Sequence, residues 1–272
     1  MNHFFTDEPI KFEGTFYERC ENLKELIVNN KTVFFGGAGV STASGIPDFR
    51  SSDGLYNQKN EYTYKPEDIL SKGFLNHNPK MFYKFYRDKF DLRKFEPNDC
   101  HKKLAEMEKL GYMTGIITQN VDCLHQKAGS KNVAEIHGTI SDNYCLKCKS
   151  HYNINYIFEN KDIIPRCSNC NSSNNFVRPK VTLYGERLDN DILNKAYEYL
   201  YGEIVDGKRV NKPNLMIVGG TSLQVMPASS FVSDYYGKYL VIINREETPY
   251  DKYANIIFRE DINEVFKNLK FN

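Results

Sequence analysis

The sequence predicts an α/β fold built on a doubly wound parallel sheet, and three observations lead there. Six short apolar runs recur along the chain, each ending in a polar or glycine-rich turn. Near-continuous apolar strands of this kind suit a parallel sheet covered on both faces. Helical patterns separate the runs, and strand–helix alternation with right-handed crossovers gives this architecture. Every unusual polar cluster follows a strand, which is where ligands sit in such sheets.

The expected strands, in order, are 32–35 ("TVFF"), 114–117 ("TGII"), 132–136 ("NVAEI"), 214–218 ("NLMIV"), 239–243 ("YLVII") and 255–258 ("NIIF"). A helix is expected over 98–110, with Asn98 as N-cap, Leu104, Met107 and Leu110 on one face, and Gly111 as the stop. Residues 189–201 and 227–236 are expected helices too, the second opening on a proline suited to a first turn. Two stretches interrupt the alternation. Residues 46–97 hold a polar, tyrosine-rich loop ("SSDGLYNQKNEYTYK") and short aromatic helices such as "PKMFYKFYRDKF", and residues 139–180 hold paired cysteines. These insertions are expected to form a smaller domain, leaving 1–45, 98–138 and 181–272 to the larger one.

With 272 residues, 40% of them hydrophobic, the chain can bury one large core plus an insertion. A net charge of +1 exerts no long-range pull on nucleic acid or an anionic membrane. No apolar run approaches the roughly 18 residues of a membrane span. The first residues, "MNHFFTDEPIKFEG", carry early acids and no apolar core, unlike a secretion signal. A cytoplasmic, monomeric protein is expected.

Four of the seven cysteines fall as Cys145-x-x-Cys148 and Cys167-x-x-Cys170. In a reducing compartment such pairs point to metal rather than disulfides, and four thiolates close a tetrahedral Zn²⁺ site with no open position. That makes the ion structural. Six Lys/Arg against three Asp/Glu between Asp142 and Lys180, set beside a Zn(Cys)₄ centre of about −2, leave little field for nucleic acid.

Three clusters remain. In "FFGGAGVSTASGIPDFR" (34–50), Gly37-Ala38-Gly39 follows a strand as a phosphate loop would, but the next glycine is Gly45 and the dinucleotide fingerprint is incomplete. A tight turn and a phosphate site both stay open. Asp48, Phe49 and Arg50 then offer a carboxylate, an aromatic and a phosphate-matched guanidinium. In "TQNVDCLHQKAG", Asn120 and Asp122 can hold hydroxyls or a carboxamide, and His137 after the next strand can take a proton near neutral pH. His125 and His151 are taken as structural. Finally, Thr221 and Ser222 suit phosphate or ribose oxygens, Asn244 a ribose, and the backbone at Asp261 and Ile262 an adenine edge.

Together these residues resemble the sirtuin family of NAD-dependent protein deacylases, from about residue 16 to 268. The resemblance rests on "GAGVSTASGIPDFR", "TQNVDCLHQKAGS", "IHG", both cysteine pairs, "LYGE", "GTSLQVMPA" and "VIINREETPYD". It implies a Rossmann-like large domain beside a small domain made of a helical insertion and a Cys₄ zinc ribbon. It implies NAD as co-substrate, held by Gly37, Ala38, Gly39, Thr42, Ile46, Asp48, Phe49, Arg50, Gln119, Asn120, Val121, Asp122, His137, Gly219, Thr221, Ser222, Asn244, Arg245, Asp261 and Ile262. His137 is implied as general base, with Asn120 and Asp122 beside it. An acylated lysine peptide would add as a strand along Val181, Thr182, Leu183, Tyr184, Gly185 and Glu186. The products implied are nicotinamide, free lysine and O-acetyl-ADP-ribose.

Some positions depart from the family pattern. Lys180 stands where Asp or Asn is usual, Asp142 where a base is frequent, and Thr182 where an apolar residue is. The paired Tyr and Arg of the desuccinylase branch are missing, so acetyl is the expected acyl group. Mono-ADP-ribosyl transfer or NAD hydrolysis from the same pocket is one alternative, and a non-catalytic NAD-sensing zinc-ribbon module is another.

Overall fold

A computed structural model describes residues 9–48, 62–170, 175–224 and 226–271. Helix α1 (Phe16–Asn29) starts at a capping box, where the Thr15 hydroxyl accepts from the Glu18 amide and the Glu18 carboxylate accepts from the Thr15 amide. Strand β1 (Thr32–Gly36) follows, buried throughout, and ends in two 3₁₀ turns over Ala38–Val40 and Thr42–Ser44. The first insertion gives α2 (Pro66–Ile69), α3 (Lys72–His77) and α4 (Pro79–Phe90). Helix α5 (Asp99–Lys109) is capped by Asn98 as expected, and Gly111 beyond it takes φ +78°. Next come β2 (Met113–Thr118), α6 (Leu124–Lys127) and β3 (Val133–Glu135).

The cysteine-bearing insertion supplies β4 (Gly138–Cys145), β5 (His151–Asn153), α7 (Asn155–Phe158) and β6 (Val177–Val181). The chain closes with α8 (Asn190–Tyr201), β7 (Glu203–Val205), β8 (Lys208–Val210), β9 (Leu215–Gly219), α9 (Ser230–Ser233), β10 (Tyr239–Ile243), β11 (Ile256–Phe258) and α10 (Ile262–Asn268).

All six expected strands form one sheet in the order β11-β10-β9-β1-β2-β3, every pairing parallel. Alternate side chains enter two cores. Phe34, Ile116, Ile217 and Val241 pack against α1, α5 and α10 on one face, while Val33, Phe35, Ile117 and Val218 pack against α8 and α9 on the other. Burying a large aliphatic or aromatic side chain contributes about 1.5–3 kcal/mol, so both faces hold the sheet.

The two insertions share a third core. Phe82, Tyr83, Phe85, Tyr86 and Phe90 of α4 meet Ile140, Ile157 and Leu183. Tyr83 donates its hydroxyl proton to the Val177 carbonyl at 2.8 Å, and the Arg87 guanidinium donates to the carbonyls of Ile157, Asp162 and Ile163. Strand β4 pairs antiparallel with both β5 and β6.

The structure corrects three expectations. Leu110 lies past the end of α5 and is 44% exposed, so it leaves the face shared by Leu104 and Met107. The helix expected over 227–236 shrinks to Ser230–Ser233. There the hydroxyls of Ser230 and Ser233 bond the carbonyls of Pro227 and Ser230, the local competition that makes serine runs poor helix interiors. A hairpin, β7–β8, also stands where no strand was expected. Its turn is Asp206-Gly207, both at positive φ, a sequence signal for tight hairpins.

Candidate functional site

A cleft of about 1160 Å³ opens beyond the carboxyl ends of β1, β2, β9 and β10 and runs to the loop after β6. A volume somewhat above the roughly 300–1,000 Å³ of ordinary ligand sites suits a dinucleotide with part of a second substrate. Of the expected cofactor residues, Ala38, Gly39, Thr42, Ile46, Asp48, Gln119, Asn120, Val121, Asp122, His137, Thr221, Ser222, Asn244, Arg245, Asp261 and Ile262 line it. The expected peptide residues Val181 to Glu186 line it as well. Gly37 and Gly219 are not among the lining residues. Phe49, Arg50 and most of the tyrosine-rich loop lie outside the described residues.

The glycines do something other than offer amides to phosphate. The Gly37 amide donates to the Gly219 carbonyl at 3.1 Å and the Gly39 amide to the Gly220 carbonyl at 2.9 Å. These bonds join the loops after β1 and β9. A Cβ on Gly39 would lie 2.8 Å from the Gly220 Cα, and one on Gly220 would lie 2.4 Å from the Val40 nitrogen. Glycine is required at both because two backbones touch.

The polar turn after β2 is tied to the same loop. Buried Ser41 donates to Asp122 Oδ2 at 2.7 Å and accepts from Asn120 Nδ2 at 3.1 Å, and Nδ2 also donates to the Gly37 carbonyl at 3.1 Å. Asp122 Oδ1 accepts the Leu124 amide at 2.9 Å. Both N–H groups of Asn120 are thus committed within the protein. Gln119 Nε2 donates to Thr221 Oγ1 at 3.0 Å and spans the cleft floor. Burial pushes Asp122 above the ordinary carboxylate range, and the Leu124 amide and Ser41 hydroxyl only partly oppose it. Behind it, Glu135 is pushed up to about 7 by burial, with the charge of Asp122 adding to the effect.

His137 Nδ1 lies 3.1 Å from the Gln119 carbonyl. A carbonyl only accepts, so Nδ1 carries the proton and Nε2 keeps its lone pair. Burial holds the ring below its usual pKa although that carbonyl pulls the other way, so it is neutral at pH 7. His125, expected to be structural, is fully buried against His101 with ring centroids 4.7 Å apart. His151, likewise expected to be structural, is exposed and bonded to Asp142 at 2.9 Å.

The four paired cysteines meet. Tetrahedral Zn–S bonds of about 2.3 Å put sulfurs about 3.8 Å apart. Here Cys145 and Cys170 are 3.8 Å apart, Cys148 and Cys167 are 3.5 Å apart, and all four ligand atoms lie within 4.8 Å of one another. The amides of Lys147 and Asn169 donate to the sulfurs of Cys145 and Cys167, which favours thiolates. The donor set fits one zinc ion with no open position.

Residues 37–227 match the Sir2 family. The chain belongs to the Sir2 family. It is 45% identical over 246 residues to a protein of Clostridium tetani named NAD-dependent protein deacetylase, covering 90% of this chain and 94% of the relative. A Clostridium perfringens protein of the same name is 42% identical, covering 91% and 97%. Among solved structures, Sir2 with a p53 peptide and NAD⁺ is 34% identical with a TM-score of 0.75, covering 92% of this chain and 96% of that one. Sir2Tm bound to a propionylated peptide is 32% identical with a TM-score of 0.76 over the same shares.

Two features of this Sir2-family chain escaped the sequence reading. Ser41 is the node of the polar network, and its only signal was a serine two residues past the glycine pair. The departures at Lys180 and Asp142 also belong together: Lys180 Nζ lies 3.5 Å from Asp142 Oδ2, beside the His151 contact. Two unusual charges neutralise each other at a partly exposed site, where such pairs contribute about 0–1 kcal/mol.

Proposed function

We propose that the chain is an NAD-dependent protein-lysine deacetylase that yields nicotinamide, free lysine and O-acetyl-ADP-ribose. One observation carries this: a neutral imidazole with a free Nε2 stands in the same cleft as a buried Ser41–Asn120–Asp122 network and the segment that runs on from β6. NAD, the co-substrate, supplies the glycosidic bond whose cleavage activates the sugar for acyl capture.

The residues divide the work. Thr221, Ser222, Asn244 and Arg245 hold the nucleotide half, with Asp261 paired to Arg245 at 2.5 Å. Ile46, Asp48 and Asp122 receive the nicotinamide end. The loop bonds between Gly37/Gly39 and Gly219/Gly220 fix the floor on which the ribose rests. The acyl oxygen of the peptide bonds the anomeric carbon as nicotinamide leaves. His137 Nε2 then takes a ribose hydroxyl proton, so that the sugar oxygen bonds the acyl carbon. The acyl C–N bond breaks to free the lysine amine as water adds to complete O-acetyl-ADP-ribose. The walls exclude water until that capture is complete. Zinc holds the ribbon together and takes no part in the chemistry. Residues 46–97 and 139–180 act as one small domain that closes the cleft against 1–45, 98–138 and 181–272. Seven free thiols, four of them gathered for metal, support a cytoplasmic setting.

His137→Ala tests this. It should abolish lysine release from an acetylated peptide while leaving NAD affinity within about threefold. Unchanged turnover would remove His137 from the chemistry, and nicotinamide release without lysine release in wild type would favour ADP-ribosyl transfer or NAD hydrolysis. A wild type that binds NAD but turns over no acyl-lysine would favour the non-catalytic module.

A further inference from the structure

We infer that the ion pair of buried Arg178 with half-buried Glu186 is the positioning device that sets the peptide-binding segment against His137. Arg178 sits on β6, 4% exposed, and its guanidinium makes four hydrogen bonds. Nη1 donates to Glu186 Oε1 at 2.7 Å and Nη2 to Glu186 Oε2 at 3.0 Å, a two-pronged match of fork to carboxylate. Nη2 also donates to the Val181 carbonyl at 2.7 Å, and Nε to the Pro179 carbonyl at 3.1 Å. One side chain therefore grips both ends of the Val181–Glu186 segment.

Glu186 completes the bend. Its Oε2 also accepts the Leu183 amide at 3.0 Å, and its own amide donates to the Leu183 carbonyl at 2.9 Å. The segment is pinned at two further points. The Thr182 amide donates to the His137 carbonyl at 2.8 Å, and Tyr184 exchanges backbone bonds with Leu70 and Lys72. A segment held in this way, strand at Val181 and a turn from Leu183 to Glu186, presents its remaining backbone groups to an incoming peptide at a fixed distance from the imidazole. A planar fork suits the task, since lysine, a point charge, holds neither both carboxylate oxygens nor the Val181 carbonyl in one geometry. Arg178 touches no reactant in this arrangement; it acts through Glu186 and Val181.

This role presupposes the peptide-dependent function proposed above, and the test separates the two. Arg178→Lys and Glu186→Gln are compared with wild type for acetyl-peptide KM, kcat, NAD KM and peptide binding by fluorescence anisotropy, with zinc content and Tm as folding checks. The expected result is a peptide KM raised at least tenfold in Arg178→Lys and less in Glu186→Gln, which keeps an acceptor for Leu183. In Arg178→Lys the kcat and NAD KM should stay within about twofold, and both variants should retain one zinc per chain. Unchanged peptide KM overturns the inference, as does a parallel fall of kcat and NAD binding, the mark of a merely structural role. If wild type binds the peptide without turning it over, the deacetylase proposal fails, and weakened binding by the variants still supports the positioning role. If wild type neither binds nor turns over the peptide, both fall.

Discussion

Replacing Ser41 by alanine removes the hydroxyl that joins the glycine loop to the polar turn. Two bonds go: one to the Asp122 carboxylate at 2.7 Å and one from Asn120 Nδ2 at 3.1 Å. A hydrogen bond to a charged group contributes about 1.5–3 kcal/mol and a neutral one about 0.5–1.5 kcal/mol. Asn120 keeps the Gly37 carbonyl and Asp122 keeps the Leu124 amide, so neither side chain is orphaned entirely. The expected loss is therefore about 2–4 kcal/mol of unfolding free energy, read from urea denaturation at pH 7. Losing the hydroxyl also removes one influence that lowers the Asp122 pKa, so the acid limb of kcat/KM should move to higher pH. A stability change below about 0.5 kcal/mol, with an unmoved pH profile, would refute the network as the link between the loops.

Two further outcomes follow from buried and clustered groups. His101 is held down to about 4 by burial, and His125 well below its usual value by burial and by His101. Between pH 6.5 and 4 the unfolded chain binds protons that the folded chain refuses, so stability falls as pH drops, by about 3 kcal/mol for His101 alone. Glu135, raised to about 7, titrates with the opposite sign from pH 7 down to 4.5, so the difference between His125→Leu and wild type is the readout. Among the described residues neither ring nitrogen of His125 has a hydrogen-bond partner, so leucine should flatten the acid limb, and an unchanged slope would contradict this. Zinc removal by a chelator should release one ion per chain and cost the protein cooperative unfolding of the β4–β6 region, measured by hydrogen exchange; full protection without zinc would contradict a structural ion.

The sheet was legible because its strands are buried on both faces and so read as unbroken apolar runs, each ending where a cleft residue begins. The start of α5 was legible from Asn98, whose cap is local. What the sequence hid was tertiary. Ser41 and Asp122 lie 81 residues apart, and nothing local announces their bond. The glycine loop leaves a tight turn and a phosphate site both open in the sequence, and its amides at Gly37 and Gly39 bond another loop about 180 residues on. Leu110 matched the helical period, but α5 ends one residue before it, so the period no longer governs its direction.

The most direct test is a mass balance on a single reaction of the zinc-loaded chain with an acetyl-lysine peptide and NAD. NAD-dependent deacetylation requires one nicotinamide for each lysine freed, with the acetyl group recovered on ADP-ribose. Acetate appearing without nicotinamide, or nicotinamide accumulating while the peptide stays acetylated, would contradict it.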